Sequence, residues 1–131
     1  MEIKKSEMRV RGDRGEDAVA ARLVERGYRI LCRNYKARHG EIDIIAEDDT
    51  YILFIEVKSR RLAQDKTRFG QPATAVTYDK RRHIIWSAEE YLRKHPTNKV
   101  PRLDVAEVYF GSGMSAAPVH INYMPAAFTK K

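Results

Sequence analysis

The chain has 131 residues, 43% of them hydrophobic and 33% charged, enough for one domain with one modest core. No apolar run approaches the roughly 20 residues of a membrane-spanning helix, and Met1-Glu2-Ile3-Lys4-Lys5 lacks the apolar stretch of a secretory signal, so the expectation is no membrane and a cytoplasmic setting. The single cysteine, Cys32, excludes an internal disulfide and cysteine-rich zinc sites, and 25 basic against 18 acidic residues leave a net charge of +7 that favours nucleic acid as partner, ahead of a membrane surface.

Residues 1–8 read as a polar tail compatible with disorder. A helix is predicted from about Arg9 to Arg26, stopped by Gly27. Tyr28 to Tyr35 reads as a first strand, Arg38-His39-Gly40 as a turn, and Glu41 to Glu47 as a second strand. Asp48-Asp49 supplies the next turn. Tyr51 to Lys58 is nearly all apolar until its last residues, which predicts a central strand buried on both faces beneath helices. Residues 60–71 are polar and basic and read as a loop. Ile84, Ile85, Ala88, Tyr91 and Leu92 recur at helical spacing, so a second helix is predicted from about Pro72 to His95, with an interruption near Thr77. Leu103 to Phe110 and Val119 to Tyr123 complete the strands, the last expected at an edge, and residues 125–131 read as a C-terminal tail. The order α-β-β-β-α-β-β predicts a single α/β domain over residues 9–124, with a mixed sheet of about five strands flanked by helices.

Chemistry concentrates in the third strand, where Ile52, Phe54, Glu56 and Lys58 share one face. Charge on that face costs desolvation unless it has a partner or a metal, and a charged pair at the sheet rim is the plainer alternative. With Asp48-Asp49 as a two-residue turn, Glu47 faces Thr50, and Asp43 lies opposite Phe54, diagonal to Glu56 on the same face. A three-residue turn would put Asp43 on the other face. On the first helix, Glu16, Val19, Ala20, Leu23 and Gly27 form a stripe toward the sheet. Glu16 is therefore expected to join the face of Glu56, or else to pair with a basic residue near the helix start. Carboxylates so close repel one another, and Mg2+ or Mn2+ removes the conflict by accepting hard oxygen ligands. Zinc is disfavoured, since no histidine has a helpful spacing; His39 reads as a turn residue or at most a phosphate contact. Lys58 would stabilise charge on a scissile phosphate, or orient and deprotonate the attacking water. The predicted chemistry is metal-dependent hydrolysis of a phosphodiester bond.

The segments Gly40-Glu41-Ile42-Asp43-Ile44-Ile45-Ala46 and Phe54-Ile55-Glu56-Val57-Lys58-Ser59-Arg60 resemble the YraN-like family. That bacterial family belongs to the PD-(D/E)xK nuclease superfamily and is distantly similar to archaeal Holliday-junction resolvases. The likeness continues through Gly15-Glu16-Asp17-Ala18, Lys80, Arg102-Leu103-Asp104-Val105 and Ala127-Phe128, nearly the whole chain. It implies a restriction-endonuclease-like core, metal ligation by Asp43 and Glu56 with Glu16 in support, Lys58 as catalytic base or phosphate contact, and Lys80 as a further polar active-site residue. One departure is Ile42, where the superfamily's name has a proline that does not ligate metal. Gln71 is a weaker candidate, with loop capping as its alternative. Glu41 is either an outer metal ligand or a rim partner of Arg38 or a later lysine, and Asp104 is expected to pair with Arg102. Resolvases cut symmetrically as dimers, so a two-fold homodimer is also implied.

The leading expectation is a Mg2+- or Mn2+-dependent endodeoxyribonuclease acting on DNA, including branched or otherwise structured DNA. Arg60, Arg61, Lys66, Arg68, Arg81 and Arg82 would hold the phosphate backbone, contributing affinity without sequence information. The competing expectation is a catalytically inactive nucleic-acid-binding module with the same fold, which binds in a salt-sensitive way without cutting. A protein-interaction subunit leaves the charged cluster unexplained. An RNA substrate stays open, since no aromatic-rich platform for single strands is evident in the sequence.

Overall fold

In the computed structural model, which describes residues 5–61, 77–111 and 118–128, the N-terminal segment forms helix α1, Lys5–Glu25. It begins before the predicted Arg9, inside the stretch read as a polar tail. Gly27, at φ 92°, ends it in the left-handed conformation that a glycine adopts without steric cost. A meander of strands follows: β1, Arg29–Ala37; β2, Gly40–Glu47; and β3, Tyr51–Arg61. Helix α2, Tyr78–Lys94, crosses to β4, Val100–Phe110, which runs parallel to β3, and β5, Pro118–Met124, returns antiparallel along the edge. The sheet is mixed and five-stranded, as predicted, and its spatial order is β1-β2-β3-β4-β5.

Central β3 is covered on both sides. Leu53 and Ile55 pack under α1 with Val19, Leu23, Ile44, Ala46, Ala106 and Val108. Ile52 and Phe54 pack under α2 with Ile45, Ala88 and Tyr91, continued by Ile84 and Val105. The interruption expected near Thr77 is the start of α2: the Thr77 side chain accepts the Lys80 N–H at 3.2 Å and caps the helix. Residues 72–76, expected to be helical, lie outside the described residues. What read as a C-terminal tail is tied back at its beginning, with Ala127 N donating to Leu103 O at 2.8 Å and Phe128 buried beside Ile84. Among the described residues, no helix is long and apolar enough to cross a membrane.

Two departures from the predicted register shape the site. The β2–β3 turn sits one residue later than expected, because the Asp48 carboxylate accepts the N–H groups of both Thr50 and Tyr51, at 2.8 and 2.6 Å. Glu47 therefore faces Ile52, not Thr50, and Ile44 faces Ile55. The slip is an even number of residues, so every side chain keeps its face. The second departure lies at Asp43 itself. Ile44 and Ala46 belong to the α1 layer and Ile45 to the α2 layer, as alternation demands, yet Ile42 also lies in the α2 layer. β1 switches at the same level: Arg33 turns to α1, Tyr35 packs toward α2, and Asn34 between them has a φ of 53°. Asp43 thus occupies a point where the strand changes sides.

Candidate metal centre

The β2–β3 ladder stops at the Ile44–Ile55 pair. Beyond it, the Val57 N–H donates to Asp43 Oδ2 at 2.8 Å, so a side chain replaces the next backbone partner and wedges the two strands apart. Held there, Asp43 stands between the two sheet faces. Helix α1 covers the face opposite Glu56, not the same face as predicted, since its Val19 and Leu23 pack on Leu53 and Ile55. Glu16 nevertheless reaches the cluster, because the change of sides at Asp43 opens the sheet to both helices. The approach of α1 depends on Gly15, where a methyl group would meet Ser59 Oγ of β3.

Glu56, on β3, is only 7% exposed. Burial, followed by hydrogen bonding and repulsion from Asp43, pushes its carboxyl up to about 8, while the charges of Lys80 and Lys58 oppose that rise. Lys80 Nζ stands 3.3 Å from Glu56 Oε2, brought there by the capped first turn of α2. Even so, Glu56 Oε2 is a buried oxygen without a hydrogen bond. Glu16 is 9% exposed; burial first, then Asp43, raises its carboxyl, and bonding to Arg33 at 3.4 Å offsets part of that. The basic partner of Glu16 is Arg33 of β1 and not a residue near the helix start; Arg33 also pairs with Asp17 at 2.8 Å.

Lys58 is half-buried two residues beyond Glu56 and is matched across the parallel ladder with Glu107. Glu107 is a buried charge beside the candidate site that the sequence reading passed over. It is 1% exposed, accepts from Tyr109 Oη and Asn122 Nδ2, and lies 3.8 Å from Arg60 Nε. Its signal was present: a glutamate alternating with Val105 and Tyr109 in a stretch, Val105 to Phe110, that is otherwise apolar. Arg60, expected on the phosphate backbone, has its buried Nε 3.8 Å from Glu107 Oε2. Glu41 is exposed and pairs with the preceding Lys36 at 2.9 Å, whereas Asp104 takes the expected Arg102 at 3.0 Å. Arg81 lies over the Phe128 ring, and Arg82 is exposed on α2. Lys66, Arg68, Gln71 and the side chain of Arg61 lie outside the described residues.

The donor set suits a hard cation. Two carboxylates of neighbouring strands meet, one with a buried oxygen held by the Lys80 ammonium and by no hydrogen bond among the described residues, and Mg2+ commonly takes one or two carboxylates while keeping several waters. Among the described residues, no three His, Cys, Asp or Glu side chains already stand together in coordinating positions, so the fit rests on Asp43 and Glu56.

Comparison with known proteins places this arrangement in a family. The profile of the Uncharacterised protein family UPF0102 matches residues 15–108, a span containing Glu16, Asp43, Glu56, Lys58, Lys80 and Glu107. A UPF0102 protein of Clostridioides difficile is 43% identical over 100 residues, covering 76% of this chain and 84% of that one. Another, from Rhodococcus opacus, is 38% identical over 111 residues, covering 84% and 91%. A third, from Symbiobacterium thermophilum, is 44% identical over 98 residues, covering 74% and 80%. With its profile matched through both helices and four of the strands, and with relatives alike over most of their length, this chain belongs to the YraN-like family UPF0102.

Proposed function

We propose that this protein is a Mg2+- or Mn2+-dependent endonuclease of the PD-(D/E)xK type, hydrolysing phosphodiester bonds in DNA. The observation that carries this reading is the buried Glu56 carboxylate set against Asp43 on a central strand, one of its oxygens held by the Lys80 ammonium and by no hydrogen bond among the described residues. A fold gains no stability from such a pair unless a cation or a proton separates the charges. When bound, the cation would polarise the scissile phosphate and help generate hydroxide from a water. Asp43 and Glu56 hold it, and Glu16 supports it from α1. Lys58 stabilises the phosphate charge or orients and deprotonates the attacking water. Lys80 closes the site on the α2 side, where its ammonium is in place to meet a phosphate oxygen on exchanging partners. Symmetric cutting of a branched substrate needs two such sites, so the proposal includes a two-fold homodimer.

One observation favours the second reading, an inactive nucleic-acid-binding module. Glu56 and Glu16 already have basic partners, Lys80 and Arg33, as expected of a cluster that has become structural. The two readings separate on incubation with branched, nicked, single-stranded and duplex DNA, with and without Mn2+. The nuclease cuts at least one substrate in Mn2+ and loses that activity in Asp43→Ala and Lys58→Ala. Tight, salt-sensitive binding with no cut in any substrate selects the module, and cutting that survives both substitutions removes the site from the chemistry.

A further inference from the structure

Away from the carboxylates, the outer side of α2 carries Tyr78, Arg82 and Trp86 at four-residue spacing, which stacks them along one face of the helix. The Arg82 guanidinium lies 5.7 Å from the Tyr78 ring centre and 4.8 Å from that of Trp86, bridging two aromatic rings. His83 and His39 meet the Trp86 ring edge-on, each at 5.7 Å. His39 reaches it because Gly40 lets the β1–β2 turn press on α2, where an added methyl would come within 3.3 Å of His83 Cβ and Ser87 Oγ. Despite these neighbours, Trp86 is 39% and Tyr78 72% exposed. This ridge joins two distant stretches of sequence, and no core packing accounts for it.

The ridge opens at one end into a cleft of about 480 Å³ lined by Lys36, His39, Lys80 and His83. Its one carboxylate among the described residues, Glu41, is engaged by Lys36. Lys80 is shared: it lines this cleft and also pairs with Glu56. A basic path therefore runs from Trp86 to the carboxylate centre. On the other side of Trp86, Arg38 and Arg93 are interleaved with Glu89 and Glu90, a poorer match to a polyanion.

We infer that the Tyr78–Arg82–Trp86 ridge is a stacking platform for unpaired DNA, which feeds a single-stranded segment through the basic cleft toward the cut. The inference rests on the nuclease reading above and narrows its substrate to DNA with unpaired bases beside the cleavage point. In a duplex the base faces are hidden in the stack, so an exposed ring on a duplex-binding surface would gain only phosphate contacts. Unpaired bases present both faces, and stacking on an aromatic ring is independent of sequence. Arg82, between its two rings, would offer guanidinium N–H groups to a phosphate.

Trp86 is the only tryptophan of the chain, so its fluorescence reports on the platform directly. The full-length protein is titrated in EDTA with a single strand of about 15 nucleotides, a length near the upper end of single-strand site sizes, and with the same sequence as a duplex. The single strand is expected to quench Trp86 and the duplex to leave it nearly unchanged. By anisotropy of a labelled strand, Trp86→Ala binds the single strand about tenfold more weakly, Trp86→Phe recovers most of that loss, and duplex affinity stays constant in both. Equal quenching by both forms, or Ala and Phe variants that weaken both forms alike, overturns the platform. Asp43→Ala, cut-deficient under the nuclease reading, keeps the quench. Quenching without any cleavage sinks the nuclease reading alone, and cleavage without quenching sinks the platform alone.

Discussion

A carboxylate held away from water beside another carboxylate destabilises the fold that contains it, and Glu56 is such a group. In the absence of metal, most of its ionisation is suppressed by burial and by Asp43, at a cost to the native state near neutral pH. Glu56→Gln keeps the shape and removes that cost. It is expected to raise metal-free stability by about 1–3 kcal/mol, read by urea denaturation in EDTA, while abolishing Mn2+-dependent cleavage. A variant less stable than the parent would show that the carboxylate is well accommodated and that no cation is needed. Asp48 illustrates the opposite sign. Backbone N–H groups of Tyr51 and Thr50 hold its carboxyl below the ordinary 3.8. Its contribution is therefore fully present above that value and lost as pH falls through the lowered one. In Asp48→Ala, the stability deficit relative to the parent is expected to be constant at neutral pH and to shrink only in strong acid, a comparison that thermal melts across the acid range will check.

At the scale of elements, the site depends on how closely α1 approaches β3. Gly15 lies at that contact, where an added methyl would meet Ser59 Oγ and a larger side chain would press on Val108 as well. Gly15→Leu is expected to cost about 1–3 kcal/mol and to reduce cleavage more than the lost stability explains, because Glu16 retreats with its helix; activity measured well below the melting point will separate the two. The strands, the central place of β3 and the carboxylates of β2 and β3 were legible from alternation and apolar runs, which are local signals. The turn was misplaced by one residue because Asp48 and Asp49 are equally good turn residues in sequence, and only the bonds to Asp48 decide between them. The change of sides at Asp43 was not legible either. Ile42, Ile44 and Ile45 are all apolar, and identical side chains carry no record of which face each one takes. Glu107 was overlooked as a single charge in the apolar second half of β4, and the Tyr78–Arg82–Trp86 spacing on α2 was legible in the sequence but its packing with His39 of the distant β1–β2 turn was not.

The molecule as a whole is organised around one parallel seam, β3 against β4, with α2 in the crossover between them. Its edges carry charge and a proline, with Arg29, Arg33 and Lys36 on β1 and Pro118 opening β5, which discourages further strands from adding. The seam also divides the site by chain distance. Asp43 and Glu56 lie on a hairpin closed by a tight turn, whereas Lys80 and Glu107 arrive only with the crossover and the strand beyond it. Local hairpins close sooner than parallel pairings of distant strands. During folding, the two acids therefore meet before their lysine, and their repulsion burdens the climb to the transition state. Glu56→Gln should accordingly refold faster in EDTA with little change in unfolding rate, as stopped-flow Trp86 fluorescence can record; a change confined to unfolding would mean that the crossover docks first. The carboxylate pair proposed to hold a cation would then also set the pace at which the chain folds.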